Sequence, residues 1–161
     1  MFHNMWNKLA LLLVFFIFGC AKKEHTFEAV LYLETLNKMD VQMFYSTDFR
    51  GWFSEEQSAH FTVEANEPVQ ANFEFKDSEK IKRLRIDFNT DEELTIYIDS
   101  IKIFDGKNTY YLQAEQLKSW MVPNEQVKLI YTKDKMIVKT FKTDEIYDPY
   151  LITKNLQKYL D

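Results

Sequence analysis

The run Leu94-Thr95-Ile96-Tyr97-Ile98-Asp99-Ser100-Ile101-Lys102-Ile103 carries the clearest strand signal in the chain. Apolar residues alternate at 94, 96 and 98, lose phase at Asp99-Ser100, and resume at 101 and 103. A helix would repeat them every three or four residues, so period two means a strand with one face in a core. A slip of a single residue is what a β-bulge leaves behind. The same alternation extends in both directions. Val69, Ala71, Phe73 and Phe75 line one face of a strand, and Phe61, Val63 and Ala65 another. Leu84, Ile86 and Phe88 form a third, with Arg83, Arg85 and Asp87 opposite.

Further strands are expected over 26–36, 40–46 and 110–112, and a hairpin over 126–132 and 136–142 around Lys133-Asp134-Lys135. Asn66-Glu67-Pro68, residues 77–80, 89–92 and 105–108 read as turns. Residues 114–120 read as one or two helical turns. The end, 151–160, fits a short helix or a final strand. Roughly nine or ten short strands with frequent turns indicate an all-β sandwich or barrel, and a jelly-roll sandwich is expected. No strand alternates with a long helix, which disfavours a parallel α/β sheet. Aromatic residues make up 16% of the chain and glycines number only 3, which favours a filled core over many tight hairpins.

The N-terminus follows different rules. Residues 1–8 are short and polar, 9–18 (LALLLVFFIF) are unbroken apolar, and Gly19 precedes Cys20, the only cysteine. Ten apolar residues rise about 15 Å as a helix, about half a hydrocarbon core, so a cleaved export signal is favoured over a span. Ile17-Phe18-Gly19-Cys20 resembles the lipobox of bacterial lipoproteins, with Phe18 bulkier than is usual at its slot. The resemblance implies cleavage before Cys20 and lipid attachment there. The chain then divides into a signal peptide (1–19), a lipidated tether (20–26) and a β-sandwich domain (27–161). Two or three acyl chains, at about 0.8 kcal/mol per buried methylene, anchor such a protein for good. Cys20-Ala21-Lys22-Lys23-Glu24 loosely resembles the surface-export tag of Bacteroidetes lipoproteins. Outer-membrane attachment is the expectation, with the periplasmic or surface-exposed face left open.

The net charge is −5, and loss of Lys8 with the leader makes the body more negative. No basic patch suggests nucleic acid. No His-x-His, Glu-x-x-His, Gly-x-Ser-x-Gly or glycine-rich phosphate loop is present. With Cys20 committed to lipid, no thiol nucleophile remains. No catalytic residue, cofactor or transition-metal site is expected, so the chain reads as non-catalytic. Asp99, Asp105 and Asp148 are calcium candidates, although a bulge and a turn explain the first two at least as well.

Aromatic contact is the best remaining signal. Arg50-Gly51-Trp52-Phe53 puts two rings and a guanidinium on a loop, and Trp120 adds a ring near Pro123. Such rings either serve as platforms for a ligand such as a sugar or plug the ends of the sandwich. From 41 to 104 the chain includes Gly51-Trp52-Phe53-Ser54-Glu55-Glu56 and Leu84-Arg85-Ile86-Asp87. These pieces resemble a jelly-roll module of bacterial envelope and glycan-processing membrane proteins, which is itself similar to carbohydrate-binding domains. The module often has a proline soon after the second segment, where this chain has Phe88-Asn89-Thr90. The resemblance implies a sandwich fold. It bears less on function, since the ligands of that module are mostly unestablished, and glycan is the ligand class its similarity to carbohydrate-binding domains suggests. The other partner considered is a second envelope protein met through a sheet edge or aromatic patch. Arg85 and Asp87 are expected to pair structurally on a strand's polar face.

Overall fold

The computed structural model describes residues 26–76, 81–143 and 146–160. The expected signal peptide, Cys20 and the tether up to residue 25 lie outside the described residues, as does the turn at 77–80. The strands are β1 (Thr26–Thr35), β2 (Met39–Ser46), β3 (Ser58–Val63), β4 (Val69–Lys76), β5 (Arg83–Asn89) and β6 (Thr95–Phe104). They continue with β7 (Thr109–Gln113), β8 (Met121–Pro123), β9 (Val127–Tyr131), β10 (Met136–Thr140) and β11 (Tyr150–Thr153). Helix α1 (Ala114–Trp120) joins β7 to β8, and α2 (Gln157–Leu160) follows β11.

The strands form two antiparallel sheets packed face to face, the all-β sandwich that the alternation demands. The first runs β4-β1-β6-β10-β9, with β7 also paired to β6. The second runs β3-β2-β5-β11-β8. Successive strands pass repeatedly between the sheets, so most core contacts join segments distant in sequence.

The inward faces match the apolar positions of the sequence. Leu31 and Leu33 on β1, Phe73 on β4, Ile86 and Phe88 on β5, and Ile96, Ile98, Ile101 and Ile103 on β6 are all buried. Burial of such a side chain is worth about 1.5–3 kcal/mol, so these rows hold the sheets together. The bulge falls where the phase slips: Tyr32 faces Ser100 and Leu33 faces Ile98, leaving Asp99 unopposed. The extra residue keeps both halves of β6 facing the core. β10 pairs with the half before it and β7 with the half after it.

The hairpin 127–140 is also as expected. At the C-terminus the two readings occur in succession, a strand and then a single helical turn. β8 was not expected, because three residues are too few to show a period. Helix α1 starts at a reciprocal cap between Gln113 and Gln116, which satisfies two otherwise orphaned N–H groups. Its Ala114, Leu117 and Trp120 recur every three residues and all point into the core.

Candidate functional site

The outer face of the second sheet departs from a simple solvated strand surface. On β5 the outward residues are Arg83, Arg85 and Asp87. Register places Gln42 of β2 and Tyr150 of β11 on either side of Asp87, and Phe44 and Ile152 on either side of Arg85. Asp87 is only 4% exposed and Gln42 only 6%, although both face away from the core between the sheets.

What buries them is a set of interlocking side chains. Arg85 donates from Nε and Nη2 to the two carboxylate oxygens of Asp87, each at 2.6 Å. Nη2 also donates to Asp148 Oδ2 at 3.0 Å. The guanidinium lies 3.9 Å from the Tyr150 ring centre and 5.6 Å from that of Phe44. A planar cation between two rings and two carboxylates has little freedom left. Gln42 Nε2 donates to Glu55 Oε2 at 2.7 Å and to Ser58 Oγ at 3.0 Å, tying the loop after β2 to the same face. Burial pushes the Asp87 carboxyl up to about 6, against the pull of Arg85, and the nearby Asp148 and Glu55 charges push the same way.

One register step away, Arg83 holds the loop that carries the candidate rings. Its Nη1 donates to the Phe49 carbonyl at 3.0 Å, and its guanidinium lies 5.8 Å from the Phe49 ring and 5.4 Å from the Phe53 ring. Phe53 packs edge-on to Phe44, with centroids 6.4 Å apart. Inside the loop, Ser46 Oγ donates to the Asp48 carbonyl and accepts from the Asp48 N–H, while Asp48 Oδ1 accepts from the Arg50 N–H. Between these fixed points Trp52 stands 94% exposed.

The four candidate ring and guanidinium residues therefore separate. Arg50 and Trp52 are exposed on the loop, and Phe53 is half-buried beneath it. Trp120 must be corrected: it is 2% exposed and belongs to the core, because the period of α1 turns it inward with Leu117. It is a plug rather than a platform. The calcium candidates are not brought together. Asp99 lies at the bulge 3.5 Å from Lys135 Nζ, Asp105 caps its own turn through the Lys107 and Asn108 N–H groups, and Asp148 pairs with Arg85. Among the described residues no cluster of three His, Cys, Asp or Glu is arranged to hold a metal ion.

No family model matches this chain, and neither a curated protein nor a solved structure does. The site therefore rests on its own geometry. Sequence reasoning found the Trp52 loop and the Arg85–Asp87 pair but not Gln42, Glu55 and Tyr150 beside it. Alternation puts Arg85 and Asp87 on one face of β5, yet only strand pairing shows which side chains flank them. An open cleft of about 540 Å³ between residues 36–40 and 89–92 adjoins the same face. Asp40 and Asn89, paired across β2 and β5, line it, and Asn89 Nδ2 donates to Gln42 Oε1 at 3.4 Å. Among the described residues no helix is long and apolar enough to cross a membrane.

Proposed function

We propose that this chain is a lipid-anchored bacterial envelope protein whose β-sandwich head binds glycan without catalysing a reaction on it. The anchor reading rests on the leader and Cys20, as the sequence presents them. The glycan reading is carried by one observation, the exposure of Trp52 on a loop whose neighbouring rings are pinned. A large ring held out in water forgoes about 1.5–3 kcal/mol of burial, and a rigid platform for the apolar face of a sugar uses that surface. Ordering the loop beforehand also reduces the entropy lost on binding.

Two measurements test the two halves. Mass spectrometry of the native protein is expected to show a diacylated Cys20 at the N-terminus, and an intact leader or a free thiol refutes the anchor. Affinity electrophoresis of the full chain in detergent, through gels containing polysaccharide, is expected to show retardation that Trp52→Ala abolishes. Unretarded migration across a broad polysaccharide panel refutes glycan binding.

A second reading, contact with another envelope protein, draws on a different patch. Ile146 is 89% exposed, and its carbonyl accepts from Gln126 Nε2, while the exposed Phe141 donates its N–H to the Gln126 carbonyl. These apolar groups surround one residue, away from the Trp52 loop in sequence. Site-specific crosslinking from position 146 in intact cells that yields no discrete adduct removes this reading.

A further inference from the structure

The polar cluster around Arg85 has more order than a surface ion pair needs. A buried Arg–Asp pair contributes little net stability, because desolvation offsets most of its attraction. Here that desolvation is met on an outward sheet face. The groups are held by two rings and two flanking segments, the loop that includes Glu55 and the stretch before β11 that includes Asp148. Side chains fixed in this way need no rearrangement to meet a ligand.

The unused hydrogen-bonding capacity indicates what kind of ligand. Arg85 spends Nε and Nη2 on carboxylates, Asp148 spends Oδ2 on Arg85, and Glu55 spends Oε2 on Gln42. Among the described residues, Arg85 Nη1, Asp148 Oδ1 and Glu55 Oε1 carry no hydrogen bond. One donor group and two acceptors are thus left on a rigid frame. A hydroxyl both donates and accepts, so neighbouring ring hydroxyls can take a bond from the guanidinium and give one to a carboxylate. Charge narrows the choice further. Glu55, Asp87 and Asp148 outnumber Arg85, and two of them already engage its charge, so an incoming carboxylate or phosphate meets repulsion. Arg83 keeps its charge beside the Phe49 carbonyl and two rings, yet even with it three carboxylates face two guanidiniums. The Trp52 platform adjoins this cluster through its neighbour Phe53, which packs on Phe44, the register partner of Arg85.

We propose that Arg85 Nη1, Asp148 and Glu55 form a hydroxyl-binding subsite for an uncharged saccharide, beside the Trp52 platform. This rests on the glycan reading above and names the ligand class and the residues that select it. The subsite discriminates against uronic-acid-bearing and phosphorylated glycans.

The test is a glycan array of neutral, uronic-acid-bearing and phosphorylated oligosaccharides, probed with the full chain in detergent, followed by titration of the strongest neutral binder. Asp148→Asn removes one acceptor charge at an exposed position and is expected to leave thermal stability unchanged. It should weaken neutral-sugar binding about tenfold or more, the loss of one charge-assisted hydrogen bond. Arg85→Lys keeps a cation beside Asp87 but loses the planar fork, and should weaken binding at least as much. Binding confined to acidic glycans overturns the proposal. So does neutral-glycan binding that Trp52→Ala abolishes while both polar variants leave it intact, which would keep the glycan reading and place its polar contacts elsewhere. Binding to no glycan overturns both readings together.

Discussion

Replacing Arg85 with Ala removes both 2.6 Å hydrogen bonds to Asp87 and leaves that carboxyl buried without a cation. Breaking a buried pair from one side costs about 3–5 kcal/mol when the remaining group must stay charged. Asp87 has an escape, because it can bind a proton. In the intact protein its value is already raised from 3.8 to about 6, so the folded state binds that proton more tightly than the unfolded chain does. Stability therefore falls as pH rises from 3.8 through about 6 and levels off above. Without Arg85 the carboxyl rises further, by about 1–3 units for the loss of an adjacent guanidinium, and the fall continues to higher pH. Each added unit deepens it by about 1.4 kcal/mol. Near pH 5 the carboxyl is largely protonated in both proteins, and the variant loses mainly the cation stacked 3.9 Å from the Tyr150 ring. That contact is worth about 0.5–2 kcal/mol. The expected cost is thus about 1 kcal/mol near pH 5, growing to about 3 kcal/mol or more near pH 8. Urea unfolding followed by fluorescence, with Trp120 as the core reporter, measures it at the two pH values. A cost that is equal at both would refute the coupling between the two residues.

The two described tryptophans give opposite expectations. Trp120→Ala empties a core position and should cost about 3–5 kcal/mol, whereas Trp52→Ala should change stability by less than about 0.5 kcal/mol; urea midpoints that reverse this order overturn the assignment of plug and platform. Thr153 Oγ1 accepts the buried Leu84 N–H at 2.9 Å, so the near-isosteric Thr153→Val should lose about 1–3 kcal/mol in the same assay. Gly51 has no room for a side chain, since an added Cβ meets Asp48 Cβ at 2.9 Å and Ser46 Oγ at 3.0 Å. Gly51→Ala should therefore cost about 1–3 kcal/mol and displace the loop, seen as a changed Trp52 emission maximum; unchanged stability and emission would show that the turn yields freely.

Much of the sandwich is legible residue by residue, because one face of each strand must be apolar. The phase slip at Asp99 is the sharpest case, since moving from Ile98 to Ile101 without a bulge would turn half of β6 inside out. Short elements are not legible. Met121–Pro123 is a strand only because Leu151, Ile152 and Thr153 lie beside it. Trp120 shows the same limit for side chains: its place at the end of α1 and near Pro123 suits either a platform or a plug, and packing against the core decides.

For the site the division is sharper still. Alternation alone puts Arg85 and Asp87 on one face of β5, and the loop composition alone marks Trp52, because both are local properties of the chain. That Gln42, Phe44, Glu55, Asp148 and Tyr150 gather around that pair depends on β2 and β11 flanking β5 in the second sheet. Those strands lie tens of residues away, and no local period records which strand becomes a neighbour. Burial of Asp87, and with it the raised proton affinity and the fixed guanidinium, follows from that neighbourhood alone.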